Sequence, residues 1–242
     1  MIEIRHPVSP RKGYDQFYSE KGLRQPTSYF LWILDLIQFQ AGRRLLDMSC
    51  GEGQLLGLAT RAGIKGFGLD ISREAIRLAS LEAPRAFNTV GNGELLPYRD
   101  GTFDYIVNLG SLEHYEDPAA GVRQLARVLK KEGRVCVLLP NSFGLLWTVS
   151  HAWRTGEIFD DGQPIQRYGT LKEWRNLLEE NGLIINRVLK YNGRNRPRTW
   201  TDFLWNLRRP RKIVTSLLLL PFIPLRAATM FVFLCSKGKG DT

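Results

Sequence analysis

Three places in this 242-residue chain combine residue types and spacings that could do chemistry. The first is the run Arg43–Gly53, RRLLDMSCGEG, in which Asp47 is followed at two-residue steps by Ser49, Gly51 and Gly53. Leu45 and Leu46 mark a short buried strand before it. Leu55, Leu56, Leu58 and Ala59 carry a helical pattern after it, ended by Gly63. Strand, glycine turn and helix together set backbone N–H groups at a helix N-terminus, where they can receive the anionic end of a ligand. Glycine is needed wherever a Cβ would hold that ligand off the backbone. The second place is Asp70, closing the strand signal Lys65–Asp70, KGFGLD, where an acid can accept hydrogen bonds from both hydroxyls of a ribose. Its place at a strand end predicts that folding survives its loss. The third is His114, whose imidazole, with an unperturbed pKa of about 6.5, is the best base candidate of the three histidines. His151 is a poorer second. Neither these two nor His6 shows metal-ligand spacing with one another or with a cysteine, so no metal is expected.

These residues need a frame, and the chain supplies alternating strand and helix signals. Ser72 caps a helix with Ala75, Ile76, Leu78 and Ala79 on its apolar side. Arg85–Val90 is a weaker third strand, leading into Gly91-Asn92-Gly93-Glu94-Leu95-Leu96-Pro97, and Tyr105–Leu109 a fourth, followed by Gly110. Asp117-Pro118 starts a helix whose stripe is Val122, Leu125, Ala126 and Leu129, with the break expected at Gly133. Arg134–Pro140, RVCVLLP, is the near-continuous apolar strand of a parallel sheet covered on both faces. Thr170-Leu171-Lys172-Glu173 is a capping box that opens a helix ending at Asn181-Gly182, and Leu183–Tyr191 is a sixth strand. Ahead of all this, Met1–Pro26 has no clear period, and Thr27 or Ser28 can cap a helix through Ile37. The class is α/β.

Asp47-Met48-Ser49-Cys50-Gly51-Glu52-Gly53 resembles the first motif, D/E-x-G-x-G-x-G, of the class I S-adenosylmethionine-dependent methyltransferases, with Ser49 in place of the first glycine. Gly91–Pro97 resembles the family's G-D-A-E-x-L-P segment, with Asn92 replacing the aspartate, and Asp100–Asp104 resembles its D-G-x-F-D entry into the fourth strand. The resemblance covers Leu45–Pro140 without a gap and points to the small-molecule, ubiquinone/menaquinone-biosynthesis-like domains. It implies a Rossmann-like sheet of seven strands, mostly parallel, with helices on both faces and the last strand, Ala228–Ser236, antiparallel. It implies S-adenosyl-L-methionine as cofactor, held by Asp47, Ser49, Gly51 and Gly53. Asp70 would take the ribose, Ile71 the adenine face and Asn92, beside Gly93, the adenine amino group. Leu109 and Gly110 would pass near the methionyl end. In such proteins the N-terminal region folds over the cofactor, which makes Tyr14 a site candidate beside its reading as part of a packing arm. A dinucleotide fold is the runner-up, but Leu56 stands where its third glycine would be.

The expected organisation is an N-terminal arm and lid helix (1–42), a core (43–191) with an insertion or lid at 141–168, a basic and apolar insertion (192–226), and the last strand and tail (227–242). Met1–Asn186 carry 22 of the 34 basic and 22 of the 24 acidic residues, so Arg187–Thr242 hold the whole formal excess of +10. Within the insertion, seven basic residues and two tryptophans precede the apolar run Ile213–Leu225, which is shorter than the roughly 20 residues that cross a bilayer. That composition suits a segment lying on an anionic membrane, a hydrophobic cap on the core or a dimer contact. Three scattered cysteines and charged, proline-containing first residues predict a reducing compartment and no signal peptide, hence a cytoplasmic protein, peripheral at the inner face of the membrane if the basic segment binds there. The leading expectation is methyl transfer to a small-molecule, lipid or lipid-linked glycan acceptor. An RNA methyltransferase using the basic region, and a catalytically silent membrane-associated protein, are the alternatives. The first of these lacks a D/N-P-P-Y/F motif, since Asn108–Ser111 reads NLGS.

Overall fold

The computed structural model describes residues 1–193, 198, 200, 204, 220 and 222–238. The chain opens with β1 (Ile2–Arg5), α1 (Pro10–Glu20) and α2 (Thr27–Ile37). Strands and helices then alternate: β2 (Arg44–Met48), α3 (Gln54–Arg61), β3 (Lys65–Asp70), α4 (Arg73–Glu82), β4 (Phe87–Val90), β5 (Phe103–Leu109) and α5 (Pro118–Val128). The second half holds β6 (Leu129–Pro140), α6 (Ser150–Thr155), β7 (Ile165–Tyr168), α7 (Leu171–Glu180), β8 (Leu183–Tyr191) and β9 (Met230–Lys237). Seven strands form one sheet in the order β4-β3-β2-β5-β6-β9-β8. All neighbours from β4 to β6 pair parallel, and β9 runs antiparallel between β6 and β8, as expected of the last strand. Order reverses beside β2, and open sheets of this kind bind ligands there, outside the carboxyl ends of the strands.

Strand alternation divides the core between the two faces. Val135, Val137 and Leu139 of β6 join Phe231 and Phe233 of β9, Val122 and Leu125 of α5 and Trp174 of α7 on one side. Cys136 and Leu138 join Val232, Leu45, Leu55, Ile33 and Leu34 on the other, under α2 and α3. Burying side chains of both parities explains the unbroken apolar reading of RVCVLLP. The expected caps hold at Ser72, Asp117 and Thr170, the last with its reciprocal Glu173 bond. Neither Thr27 nor Ser28 caps α2, which begins at Thr27 behind Pro26 with no side-chain cap.

A further expectation is corrected. The helix expected to run to Gly133 ends at Val128, and Leu129 already pairs with Phe103 as the start of β6. Lys130 is held there by Asp104 of the neighbouring strand at 2.7 Å, and the Leu129 side chain folds over Gly133, where a Cβ would lie 2.6 Å from its Cδ1. The N-terminal stretch without a period is structured: β1 pairs antiparallel with β7 in a separate two-stranded sheet, Ile2 opposite Tyr168 and Arg5 opposite Ile165. Most of the basic and apolar segment, including Arg208, Arg209, Arg211, Lys212 and residues 213–219, lies outside the described residues. No helix among the described residues is long and apolar enough to cross a membrane.

Candidate active site

The turn after β2 is built from backbone that most side chains disfavour. Ser49, Gly51 and Gly53 all sit at positive φ (69°, 51° and 76°), so the glycines are required by conformation as well as by space. At Gly53 a Cβ would lie 2.9 Å from the Ala79 Cα, which lets α3 start tight against α4. At Gly51 it would meet the Tyr18 hydroxyl at 2.8 Å, so α1 lies directly over the turn. Ser49 meets its left-handed backbone with two hydrogen bonds: its N–H donates to the Leu69 carbonyl (2.7 Å), and its hydroxyl bonds the Tyr115 hydroxyl (2.9 Å).

Asp70 closes β3 and is almost fully buried. Its Oδ2 accepts from the Gly51 N–H at 3.0 Å and its Oδ1 from the Ser72 N–H at 2.9 Å, so the acid braces the glycine turn and the start of α4 together. Burial nonetheless pushes Asp70 up to about 6, against these bonds. Burial, and then the Asp70 carboxylate, push Asp47 up to about 7. Among the described residues no lysine or arginine pairs with either acid. A cationic ligand with ribose hydroxyl donors is therefore the kind of group this pair fits, which is the chemistry of S-adenosylmethionine. Ile71, half-buried, follows directly. At the end of β4, Asn92 is exposed, and its Oδ1 already accepts from the Glu94 N–H at 2.9 Å, leaving a second lone pair. Gly93 is buried against the Tyr115 hydroxyl, which leaves no room for a Cβ. Leu109 and Gly110, half-buried, end β5.

His114 lies on a 3-10 turn, Leu112–His114, and is 8% exposed. Its Nδ1 faces the Ile165 carbonyl, and a carbonyl only accepts, so Nδ1 carries the proton and Nε2 the lone pair. Burial holds the imidazole below its usual range, against the pull of Asp161 and of that carbonyl. Glu113 is buried beside it, with Oε1 3.9 Å from Nε2, and burial pushes its carboxyl up to about 8. Tyr14 of α1 meets the His114 ring edge-on at 6.4 Å and donates its hydroxyl to Gln163 at 3.1 Å. His151 instead packs its ring against Phe159.

The arm over the site is tied at both ends. Asp15 of α1 accepts from the Ser72 hydroxyl (2.7 Å) and the Arg73 N–H (2.8 Å), and the Glu52 carboxylate of the glycine turn accepts from the Leu23 N–H (2.9 Å). Thus Asp47, Ser49, Gly51, Gly53, Asp70, Ile71, Asn92, Gly93, Leu109, Gly110 and His114 lie at or just beyond the carboxyl ends of β2, β3, β4 and β5, neighbouring strands of the sheet. The reading missed Glu113, Tyr115, Asp15 and Tyr18. Glu113 precedes His114 in the same triplet and was open to notice; the others act through contacts distant in sequence. Among the described residues no cluster of three or more histidines, cysteines or acids could hold a metal ion.

The chain is similar in sequence and fold to known methyltransferases. Residues 46–137 match the family model described as "Methyltransferase domain". The chain is 36% identical to the ubiquinone biosynthesis O-methyltransferase of Ralstonia nicotianae over 110 residues, covering 42% of this chain and 46% of that protein. It is 30% identical to the 27-O-demethylrifamycin SV methyltransferase of Amycolatopsis mediterranei over 177 residues, covering 69% of this chain and 62% of that protein. The chain therefore spans about half to three-fifths of the length of these curated relatives. Its fold is shared with a solved chain from a Haloferax volcanii complex between the Trm112 methyltransferase activator and a proposed methyltransferase. There the TM-score is 0.69 at 20% identity, over 97% of this chain and 100% of that one.

Proposed function

Because the chain carries a class I S-adenosylmethionine-dependent methyltransferase domain, we propose that it moves a methyl group to a small-molecule acceptor held against His114. The observation that carries the role of His114 is its bond to the Ile165 carbonyl, which fixes the tautomer and leaves Nε2 as a proton acceptor. S-adenosylmethionine, when bound, supplies a methyl group already activated by its sulfonium. Asp47, Ser49, Gly51, Gly53 and Asp70 would hold its methionyl and ribose parts, and Ile71, Asn92 and Gly93 its adenine. Leu109 and Gly110 would border the methionyl end. The remaining task of the protein is alignment and exclusion of water, which can supply a large share of the rate. Tyr14 and Tyr18 on α1 cover the site for that purpose, and β7 closes its far wall.

The acceptor is proposed to be lipid-borne, or a lipid-linked glycan, reached by peripheral contact of Asn192–Arg226 with an anionic membrane. Support for this comes from the sequence, where the whole net charge and a short apolar run coincide. Calorimetry with S-adenosylhomocysteine and with NADH tests the cofactor, and tight NADH binding with none for the homocysteine would sink the reading. A labelled-methyl screen of lipid, glycan and RNA extracts, with wild type and His114→Asn, tests the acceptor and the base. Transfer that is equally fast in the variant removes His114 from the chemistry.

A further inference from the structure

Between α1, the 3-10 turn and β7 lies a set of buried polar groups whose chemistry is one-sided. Glu113 is 2% exposed and its Oε2 has no hydrogen-bond partner. Two adjoining side chains on one face of β7, Gln166 through its Oε1 and Tyr168 through its hydroxyl, are equally buried, and beyond their approach to each other neither atom has a hydrogen-bond partner. The Glu113 carboxyl sits at the end of β5: a Cβ on Gly110 would lie 3.7 Å from its Oε1. Tyr14 on the arm and Tyr168 on β7 both lie within electrostatic reach of it. Asp161 brings a negative charge within reach of Tyr14, Glu113, His114 and Tyr168.

Nothing positive among the described residues answers these groups. Arg167, the one buried cation nearby, is spent: its Nε bonds Glu3 at 2.6 Å, and its other nitrogens bond the Glu113, Tyr115 and Glu116 carbonyls. Glu113 and Gln166 offer acceptor oxygens, His114 offers Nε2, and the Tyr168 hydroxyl can also accept. A hydroxyl group brings one donor to this set, whereas an ammonium brings three and a charge. We propose that these groups hold the protonated amino end of a small-molecule acceptor, and that Glu113 selects nitrogen over oxygen there. The inference rests on the methyltransferase reading and names the acceptor class for it.

The chemistry is consistent with the neighbours. Ionised Glu113 holds the ammonium, and His114 Nε2 takes one of its protons. That N–H bond breaks, its electron pair stays on nitrogen, and the neutral amine gains the lone pair it needs as a nucleophile. Without a ligand, burial keeps the Glu113 carboxyl protonated at neutral pH. A cation placed beside it favours the ionised form, so amine binding must expel that proton.

The test uses the full chain saturated with S-adenosylhomocysteine and two probe pairs, 2-phenylethylamine against 2-phenylethanol and ethanolamine against ethylene glycol. Calorimetry at neutral pH is run in buffers of different ionisation enthalpy. At least one amine should bind tenfold or more tighter than its alcohol and release about one proton, as linkage to a single carboxyl requires. Glu113→Gln should abolish both the preference and the release. Gln166→Leu should weaken the amine while keeping the release, and a general loss of stability would lower amine and alcohol alike. Alcohols binding as tightly as amines, neither amine binding, or an undiminished preference in Glu113→Gln overturns the proposal. If S-adenosylhomocysteine itself does not bind, the methyltransferase reading falls and takes this one with it. If it binds and amines are not preferred, only the acceptor class is wrong.

Discussion

Raising the pH should destabilise the ligand-free protein over a range where most proteins change little. Glu113 is the main cause. Its carboxyl lies at about 8 in the folded chain against 4.5 for the free side chain. A folded-state value raised above the unfolded one favours the native state when the group is protonated. The benefit is complete below the unfolded value and is lost as pH rises through about 8. Integrated from about pH 6.5 to about pH 8.5, that one group removes about 2 kcal/mol, or a fall of about 4–8 °C in Tm for a chain of this size. Asp47, at about 7, acts in the same direction over the lower part of the range. His114, held low by burial, has the opposite sign and matters at the acid end, below its ordinary value. The groups facing Glu113 are His114 on its own turn, Tyr14 from α1, Asp161 from the connection before β7, and Tyr168 and Arg167 from β7. Only the guanidinium among them is a fixed cation, and it points at the Glu113 carbonyl. Differential scanning fluorimetry of wild type and Glu113→Gln across this range measures the effect, and the unfolded-state thiols cancel in the difference. A wild-type Tm that is flat or rises, or a variant that keeps the whole fall, refutes the reasoning.

Asp70→Ala should weaken S-adenosylmethionine binding by about 1.5–3 kcal/mol. Because the Gly51 and Ser72 N–H groups lose their acceptor, it should also lower folding stability, read by urea denaturation; an unchanged affinity would remove Asp70 from the ribose site. Tyr115→Phe should cost about 1 kcal/mol in the wild-type background and less on top of Ser49→Gly, where only the longer Asn108 bond to its hydroxyl is left to lose, which a double-mutant cycle checks. Neutralising Arg208, Arg209, Arg211 and Lys212 should abolish sedimentation with anionic vesicles at low salt. Wild-type protein that ignores such vesicles would leave the segment as a core cap or a dimer surface.

The sheet was legible because its signals are local. The D-x-S-x-G-x-G turn, KGFGLD and RVCVLLP each state a strand and what ends it, and β8 falls on the expected residues 183–191. What stayed hidden depends on partners far along the chain. Ile2–Arg5 has no period of its own, and its strand exists because Ile165–Tyr168 pairs with it. The Lys130–Gly133 stretch reads as a helix end, yet Asp104 on a neighbouring strand holds it as the start of β6. The site divides in the same way. Asp70 was chosen for a ligand, but its buried position and its two backbone bonds show it bracing the turn as well. The expectation that this strand-end acid lies outside the core is therefore corrected, although folding is still expected to survive its loss at lower stability.

Ser49 shows how a departure from a motif is accommodated. A left-handed conformation costs a non-glycine residue about 1–2 kcal/mol. A hydrogen bond contributes about 1 kcal/mol net, so the Tyr115 hydroxyl offsets most of that strain only if it is held in place. It is held: Asn108 donates to it at 3.4 Å, Gly93 gives up its side chain to admit it, and a Cβ on Gly121 would lie 2.7 Å from the Tyr115 ring. Gly93 and Gly121 are thus needed for the tyrosine, whatever Gly93 also does for a ligand. A strut from α5 through Tyr115 to Ser49 joins the ends of β2, β4 and β5, the frame that the proposed cofactor site would need to be rigid. The substitution of the first glycine therefore exchanges conformational freedom for a cross-link. Ser49→Gly should relieve strain at the turn while loosening that frame, so that S-adenosylhomocysteine affinity, read by calorimetry, falls even where stability does not.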